Sequence, residues 1–244
     1  MPSPKQPCQA QSPSTSDRSP LADQVVTTIG LIDYGMGNLH SVRQAFRRLG
    51  QDVVDVKCSA DLEIPDALIL PGVGAFDPAM ENLESTGLVP HLKSWAEQGR
   101  PLLGICLGLQ LLFEGSSEGK KPGLSLLPGR VEALPRHPSE RIPHMGWAPL
   151  KVVNNSPLLR RGDPQAWVYF VHSFAAVPSD DSIVAATAPY GDSEVAAMVW
   201  SNSIGACQFH PEKSSDSGVT LLKHWIDWLQ TSSSLEGRQT CKAS

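Results

Sequence analysis

Four short apolar runs fall within the first 106 residues, each closed by a glycine or a cysteine: "VVTTIGLIDYG", "DVVDVKC", "ALILPG" and "PLLGIC". They are rich in β-branched and aliphatic side chains and too short for buried helices, so they read as strands covered on both faces. After the first comes "NLHSVRQAFRRLG", where Leu39, Val42, Phe46 and Leu49 recur at spacings of three and four. That spacing predicts an amphipathic helix, with Asn38 as its N-cap and Gly50 as its stop. Strands separated by helices of this size build βαβ units, whose right-handed crossovers give a mostly parallel sheet. Beyond residue 120 the pattern changes to close-set strands with short polar turns: "GRVEALP", "WAPLKVV", "AWVYFVHSFAAV", "SIVAATA" and "VAAMVWSNSIGACQFH". A last helix, "SGVTLLKHWIDWLQ", closes the series. The expected fold is α/β: an open mixed, mostly parallel sheet with helices on both faces and an antiparallel extension.

A chain of 244 residues can close one such domain around a substantial core. The expected boundaries are a disordered extension over 1–24, the domain over 25–231 and a flexible tail over 232–244. The extension is dense in proline and serine and has no apolar cluster to offset the entropy of ordering. It lacks the apolar core of a secretory signal, and its proline content outweighs a faint transit-peptide character. Five cysteines with no C-x-x-C pair fit neither a disulfide framework nor a structural zinc site, and suit a reducing, cytoplasmic setting. A net charge of −5 offers no footprint for nucleic acid or anionic lipid, and no apolar run is long enough to span a bilayer.

Cys106 stands where the fourth apolar run ends and an apolar helical run begins, with Gly104 and Gly108 on either side. A sharp strand–turn–helix needs small flanking residues, and G-x-C-x-G has the form of a nucleophile elbow with sulfur in place of oxygen. In open parallel sheets ligands bind beyond the carboxyl ends of the strands, and backbone N–H groups at a helix start favour a thiolate. A buried core cysteine is the competing reading. A thiolate needs a base. His210 ends a strand and has Glu212 two residues on, so both share one face and the carboxylate can orient the ring. Cys207, of opposite parity, reads as structural. His172 is a second candidate base without a nearby acid, while His137 reads as a solvated loop residue. His40, His91 and His224 read as helix-surface residues, and His144 as structural or partner-facing.

Two other stretches imitate sites. "GSSEG" around Ser117 matches G-x-S-x-G but follows a helix instead of a strand, and "GMGNLH" lacks the third glycine of a dinucleotide loop. "LPGVGAF", a strand running into a glycine-rich turn, offers backbone donors for a developing oxyanion.

Together, "GICLGLQLLF", "FHPEKS" and "PGVGAF" resemble the motifs of class I, triad-type glutamine amidotransferases. "IDYGMGNLHSV", "IPHMGW" and "YFVHSF" narrow the resemblance to the glutaminase-subunit family of imidazole glycerol phosphate synthase, with the motifs in that family's order. The resemblance implies a class I glutamine amidotransferase-like fold in which Cys106 attacks the carboxamide of glutamine. His210 carries the proton to the leaving ammonia and Glu212 orients His210. It implies an oxyanion hole from the N–H of Leu107 and, after the glycine loop rearranges, of Val73. Gly72, Gly74, Gln110, His172 and Ser173 match the glutamine pocket. Ammonia would pass to a separate (β/α)8-barrel cyclase subunit in a heterodimer, making imidazole glycerol phosphate and an aminoimidazole carboxamide ribotide. Asn38, Ser41, Trp147, Tyr169 and Lys213 match the face toward that partner, and neither metal nor organic cofactor is implied. The chain departs from the family pattern at Ala148, where asparagine is usual, and at Phe174, which is often tyrosine. Other readings are an amidotransferase subunit of another pathway, a stand-alone γ-glutamyl thiol hydrolase, and a binding module in which the triad is idle.

Overall fold

The computed structural model describes residues 27–160 and 162–240, with side chains to residue 232; the extension expected over 1–24 lies outside them. The first half alternates as its apolar runs predict. β1 (Ile29–Ile32) leads to α1 (Leu39–Arg48), then β2 (Val53–Val56), β3 (Ala67–Gly72), α2 (Phe76–Ser85), α3 (Val89–Glu97), β4 (Leu102–Cys106) and the short α4 (Leu107–Leu111). Asn38 caps α1 by accepting from the Ser41 N–H at 3.3 Å, and Gly50 follows the helix at φ 73°. The second half contributes β5 (Gly129–Ala133), β6 (His144–Pro149), β7 (Lys151–Val152), β8 (Trp167–His172), β9 (Phe174–Pro178), β10 (Val184–Tyr190), β11 (Ser193–Ser201) and β12 (Ile204–Cys207). A 3-10 turn at Pro211–Lys213 then leads into α5 (Ser215–Thr240).

The main sheet has eight strands in the order β2-β1-β3-β4-β12-β11-β10-β7. β1 to β4 are parallel to one another, and β12 is parallel to β4 with Cys207 beside Ile105. From β12 outward the pairing is antiparallel. The antiparallel half therefore joins the parallel half through one parallel contact. One face of the sheet buries α1 and α5, where Phe46 meets Trp225 edge-on at 6.0 Å. The other face buries Phe76 and Met80 of α2, Trp95 of α3, and Leu107 and Leu109 of α4. β1, β3 and β4 are buried at every position, as their continuous apolar runs require.

The crossover from β3 to β4 holds α2 and α3, and α2 buries Phe76, Ala79, Met80 and Leu83 at spacings of three and four. Two features were not legible in the sequence pattern. The single run "AWVYFVHSFAAV" divides at Ser173 into β8, paired with β6, and β9, paired with β5. "WAPLKVV" likewise divides after Pro149 between β6 and β7, which belong to different sheets. Period-two alternation reports which face a residue takes and not which neighbour its strand finds. In addition, α5 runs on to Thr240, past the boundary expected at 231. His40 and His91 are exposed as expected. His224 is buried instead, its Nδ1 bonded to the Leu158 carbonyl at 3.0 Å, because α5 packs beneath the loop before β8.

The elbow at Cys106 rests on close backbone approach. A Cβ on Gly108 would overlap the Leu70 carbonyl oxygen of β3, and one on Gly104 would lie 3.0 Å from Gly108 O, Leu109 N and Leu112 Cδ1. Gly108→Ala is expected to cost on the order of 3 kcal/mol by chemical denaturation. Gly99→Ala, where φ is 71° but space is open, should cost only about 1 kcal/mol.

Candidate active site

β4 delivers Cys106 at its carboxyl end, and the chain turns at once into α4. Cys106 itself has φ 56° and ψ −110°, a left-handed conformation rare for a residue with a side chain. That turn swings the side chain out of the strand, leaving the residue 7% exposed on the wall of a cavity of about 350 Å³. The helix that follows is little more than one turn long. Its contribution at Cys106 is therefore its first free N–H groups rather than an extended dipole.

β12 brings the base from the neighbouring position in the sheet. His210 Nδ1 lies 2.7 Å from Glu212 Oε1, with both side chains almost wholly buried. The other ring nitrogen is left for Cys106, which lines the same cavity. Burial works against a charged imidazole here, but the bonds and charges of Cys106 and Glu212 outweigh it and raise His210 to about 9. The arrangement is a thiol, an imidazole and a carboxylate in series, held at a strand–helix elbow. It can generate a nucleophilic sulfur and return a proton to a leaving group.

Val73, Gly74, Leu107, Gln110, Glu118, Pro143, Val171, His172, Ser173 and Phe174 complete the wall. Gly74 has φ 99°, and both it and Val73 are exposed. Beneath that loop the Tyr34 hydroxyl donates to the Pro71 carbonyl at 2.8 Å. Burial, with the Cys106 charge adding, pushes the Tyr34 phenol well above its ordinary range, so it stays a donor. On the opposite wall the Phe174 carbonyl receives two hydrogen bonds, from His172 Nδ1 at 2.8 Å and from Gln110 Nε2 at 3.1 Å. A carbonyl can only accept, so His172 carries its proton on Nδ1 and presents a bare Nε2 to His144 Nδ1 at 3.2 Å. Burial, reinforced by the charges of His144 and His210 and opposed by the Phe174 carbonyl, lowers His172 to about 4. A ring held neutral in this way is not the general base.

A larger cavity, about 660 Å³, lies between β5–β9 and β7–β10–β11 and contains neither histidine nor cysteine. Cys106, His172 and His210 all line the smaller one.

Comparison with known proteins agrees with this geometry. The family model for glutamine amidotransferase class-I matches residues 30–227. The chain belongs to the glutamine amidotransferase class-I family. It is similar to the imidazole glycerol phosphate synthase subunit HisH of Synechococcus sp. (strain CC9902), at 66% identity over 82% of this chain and 94% of that protein. It is also similar to the HisH subunit of Prochlorococcus marinus (strain MIT 9211), at 59% identity over 85% of this chain and 98% of that protein. Among solved structures, PurLQS from Thermotoga maritima aligns with a TM-score of 0.66 at 20% identity, over 83% of this chain and 99% of that one. A likeness at that identity bears on the fold, which is thus the class I amidotransferase architecture.

Of the residues marked in the sequence, Cys106, His210, Val73, Leu107, Gly74, Gln110, His172 and Ser173 line one cavity, with Glu212 directly behind His210. Gly72 does not line it: it is buried behind the wall, where a Cβ would press on the Tyr34 hydroxyl at 2.6 Å. Asn38 and Ser41 meet each other in the cap of α1, while Trp147 and Tyr169 pair across β6 and β8 with rings 6.1 Å apart. Lys213 is exposed, and its turn packs against both α1 and β8. Ala148 is buried, so the departure there faces the core and not the outer surface of the ribbon. "GSSEG" is a polar loop, as its context predicted: Ser117 Oγ accepts from Ala133 N at 3.1 Å. His137 is not freely solvated, since its ring bridges Ser139 and Asp192. Sequence reading missed Glu118, which lines the cavity and accepts from the Phe76 N–H at the start of α2. It also missed Gln208, which is buried beside Cys106.

The raised His210 value fixes a sign. Protonation of His210 stabilises the fold fully below its unfolded value near 6.5, and this contribution is lost as pH rises through about 9. Denaturant unfolding between pH 6 and 10 should therefore show stability declining across that window. The decline should be smaller in Glu212→Gln, whose carboxamide cannot hold a charged ring.

Proposed function

We propose that this chain is the glutaminase subunit of an imidazole glycerol phosphate synthase, hydrolysing glutamine and handing the ammonia to a cyclase subunit in histidine biosynthesis. The observation that carries the chemistry is the buried Cys106–His210–Glu212 series at the wall of a cavity sized for an amino acid. The pathway is supported by similarity to proteins named as subunits of that synthase, over nearly their whole length.

In this reading His210 takes the Cys106 proton, and the thiolate attacks the side-chain carboxamide carbon of glutamine. The carbonyl oxygen becomes an oxyanion received by the N–H of Leu107 and, once the exposed 72–74 loop turns, by that of Val73. His210 then gives its proton to the departing nitrogen, releasing ammonia and leaving a thioester. A water molecule, deprotonated by His210, attacks the thioester carbon, and the sulfur leaves with the electron pair of the broken C–S bond. The balance is glutamine and water to glutamate and ammonia. Glu212 orients His210 and holds its charged form. Glu118 and the free Oε1 of Gln110 suit the substrate's ammonium group, and His172 and Ser173 shape the opposite wall.

A partner surface is supported by the β6–β8 ribbon. Its outward face shows Met145, Trp147 and Trp167, each at least half exposed, with Tyr169 and Val171 between them. So much exposed aromatic surface is unusual for a monomer and is a favourable centre for an interface. Val171 also lines the catalytic cavity, so the ribbon adjoins the site of ammonia release. We assign the barrel cyclase to this face, with Asn38, Ser41 and Lys213 around it, and assign the heterodimer to the cytoplasm. Among the described residues no helix is long and apolar enough to cross a membrane.

Cys106→Ala is expected to abolish glutamine-dependent synthesis by the assembled pair while leaving ammonia-dependent synthesis intact. Retained glutamine turnover would exclude Cys106 as nucleophile. Lys213→Glu should leave the free chain's thermal midpoint unchanged, because an exposed charge contributes at most about 1 kcal/mol. In the complex it should weaken association or raise the ratio of glutamine hydrolysed to imidazole product formed above one. Unchanged affinity together with a ratio still at one would remove Lys213 from the interface.

A further inference from the structure

Gln208 belongs to no part of the triad, yet it is fully buried and lies beside the reacting sulfur. It follows β12 and precedes His210 by two residues, and the bend at 208–209 leaves both side chains turned toward Cys106. Its backbone N–H is engaged with the Ala197 carbonyl, which fixes the main chain. Its side-chain amide is bonded at both ends: Nε2 lies 3.9 Å from Cys106 Sγ, and Oε1 lies 3.1 Å from Gln110 Nε2.

The orientation of that amide follows from its surroundings. The Phe174 carbonyl accepts, so Gln110 must direct its NH2 toward it. The second hydrogen of the same NH2 points to Gln208, which must therefore offer its oxygen. The Gln208 NH2 is left facing the sulfur, where it can donate and cannot accept. Reversing the amide would set two NH2 groups against each other in a buried site, at the full cost of unsatisfied donors.

We propose that Gln208 is a further catalytic residue, a fixed hydrogen-bond donor that stabilises the anionic sulfur of Cys106 independently of His210 and ties it to the substrate-lining Gln110. A donor of this kind binds a thiolate more strongly than a thiol, because the bond becomes charge-assisted and shortens as the anion forms. It therefore acts at two points: when the thiolate is formed for attack, and when it is expelled from the thioester. Its link to Gln110 means that the wall contacting substrate and the wall holding the nucleophile share one rigid amide.

This role rests on Cys106 being the nucleophile proposed above, and the test separates the two. Gln208→Glu keeps the shape and the acceptor for Gln110 but turns an oxygen toward the sulfur. Gln208→Met keeps the length and removes the donor without adding charge. Iodoacetamide labelling of Cys106 in the intact chain, followed by peptide mass mapping across pH 5–10, reads the thiolate directly. Both variants should label Cys106 with a pH midpoint about one unit above the parent's and with a rate near pH 7 lower by up to tenfold. Glutamine hydrolysis should fall at least tenfold. A structural role alone would lower the thermal midpoint and leave the labelling midpoint where it was. An unmoved midpoint in either variant that retains the parent's circular dichroism overturns the proposal. The nucleophile itself is judged by Cys106→Ala, whose outcome does not depend on Gln208.

Discussion

The parallel pairing of β12 with β4 is the contact on which the rest of the structure depends. β4 ends at Cys106, and the chain beyond β12 carries Gln208, His210 and Glu212. The two strands are separated by about a hundred residues of chain, and adjacent strands lie about 4.8 Å apart. Cys106 and His210 therefore meet because two sheet halves of different construction share one ladder. The ladder can form only if the elbow at its end is tight, since α4 must pass directly over β3. Gly104 and Gly108 allow that passage, and Gly108 does so against the Leu70 carbonyl itself.

Buried polar groups then set the direction of every hydrogen bond in the site. The Phe174 carbonyl is the fixed point, because it has lone pairs and no proton to give. It orders His172 and Gln110 around it, and through them His144, Gln208 and the sulfur. His210 and Glu212 form a second series, at the cavity that Cys106 also lines. The first series keeps its histidine neutral and the second keeps its histidine charged, although both are deeply buried. The difference is the surroundings: a backbone carbonyl in one case, Cys106 and a carboxylate in the other.

The bend at Ser173 links the two parts of this design. It ends β8, whose outward face is the exposed aromatic ribbon, and starts β9, whose first carbonyl is that fixed point. The surface assigned to the partner and the internal hydrogen-bond series thus hang from adjacent residues. One bend thus joins the exposed ribbon to the hydrogen-bond series that reaches Cys106.

The sequence by itself determined the alternation of the first half, the buried character of its strands, and the elbow at Cys106. It also determined the pairing of His210 with Glu212. All of these are local, acting over a few positions, but the pair forms for another reason than extended-chain parity: Glu212 lies in the 3-10 turn Pro211–Lys213, which folds its carboxylate back onto His210. Only the tertiary structure decided that "AWVYFVHSFAAV" would serve two sheets, that His172 would be neutral, and that His224 would be buried. It alone set Gly72 behind the wall rather than on it, and brought Glu118 to the cavity and Gln208 to the sulfur. Strand partners, burial and the direction of a buried amide depend on atoms contributed from distant parts of the chain. A residue's own neighbours in sequence carry no record of them.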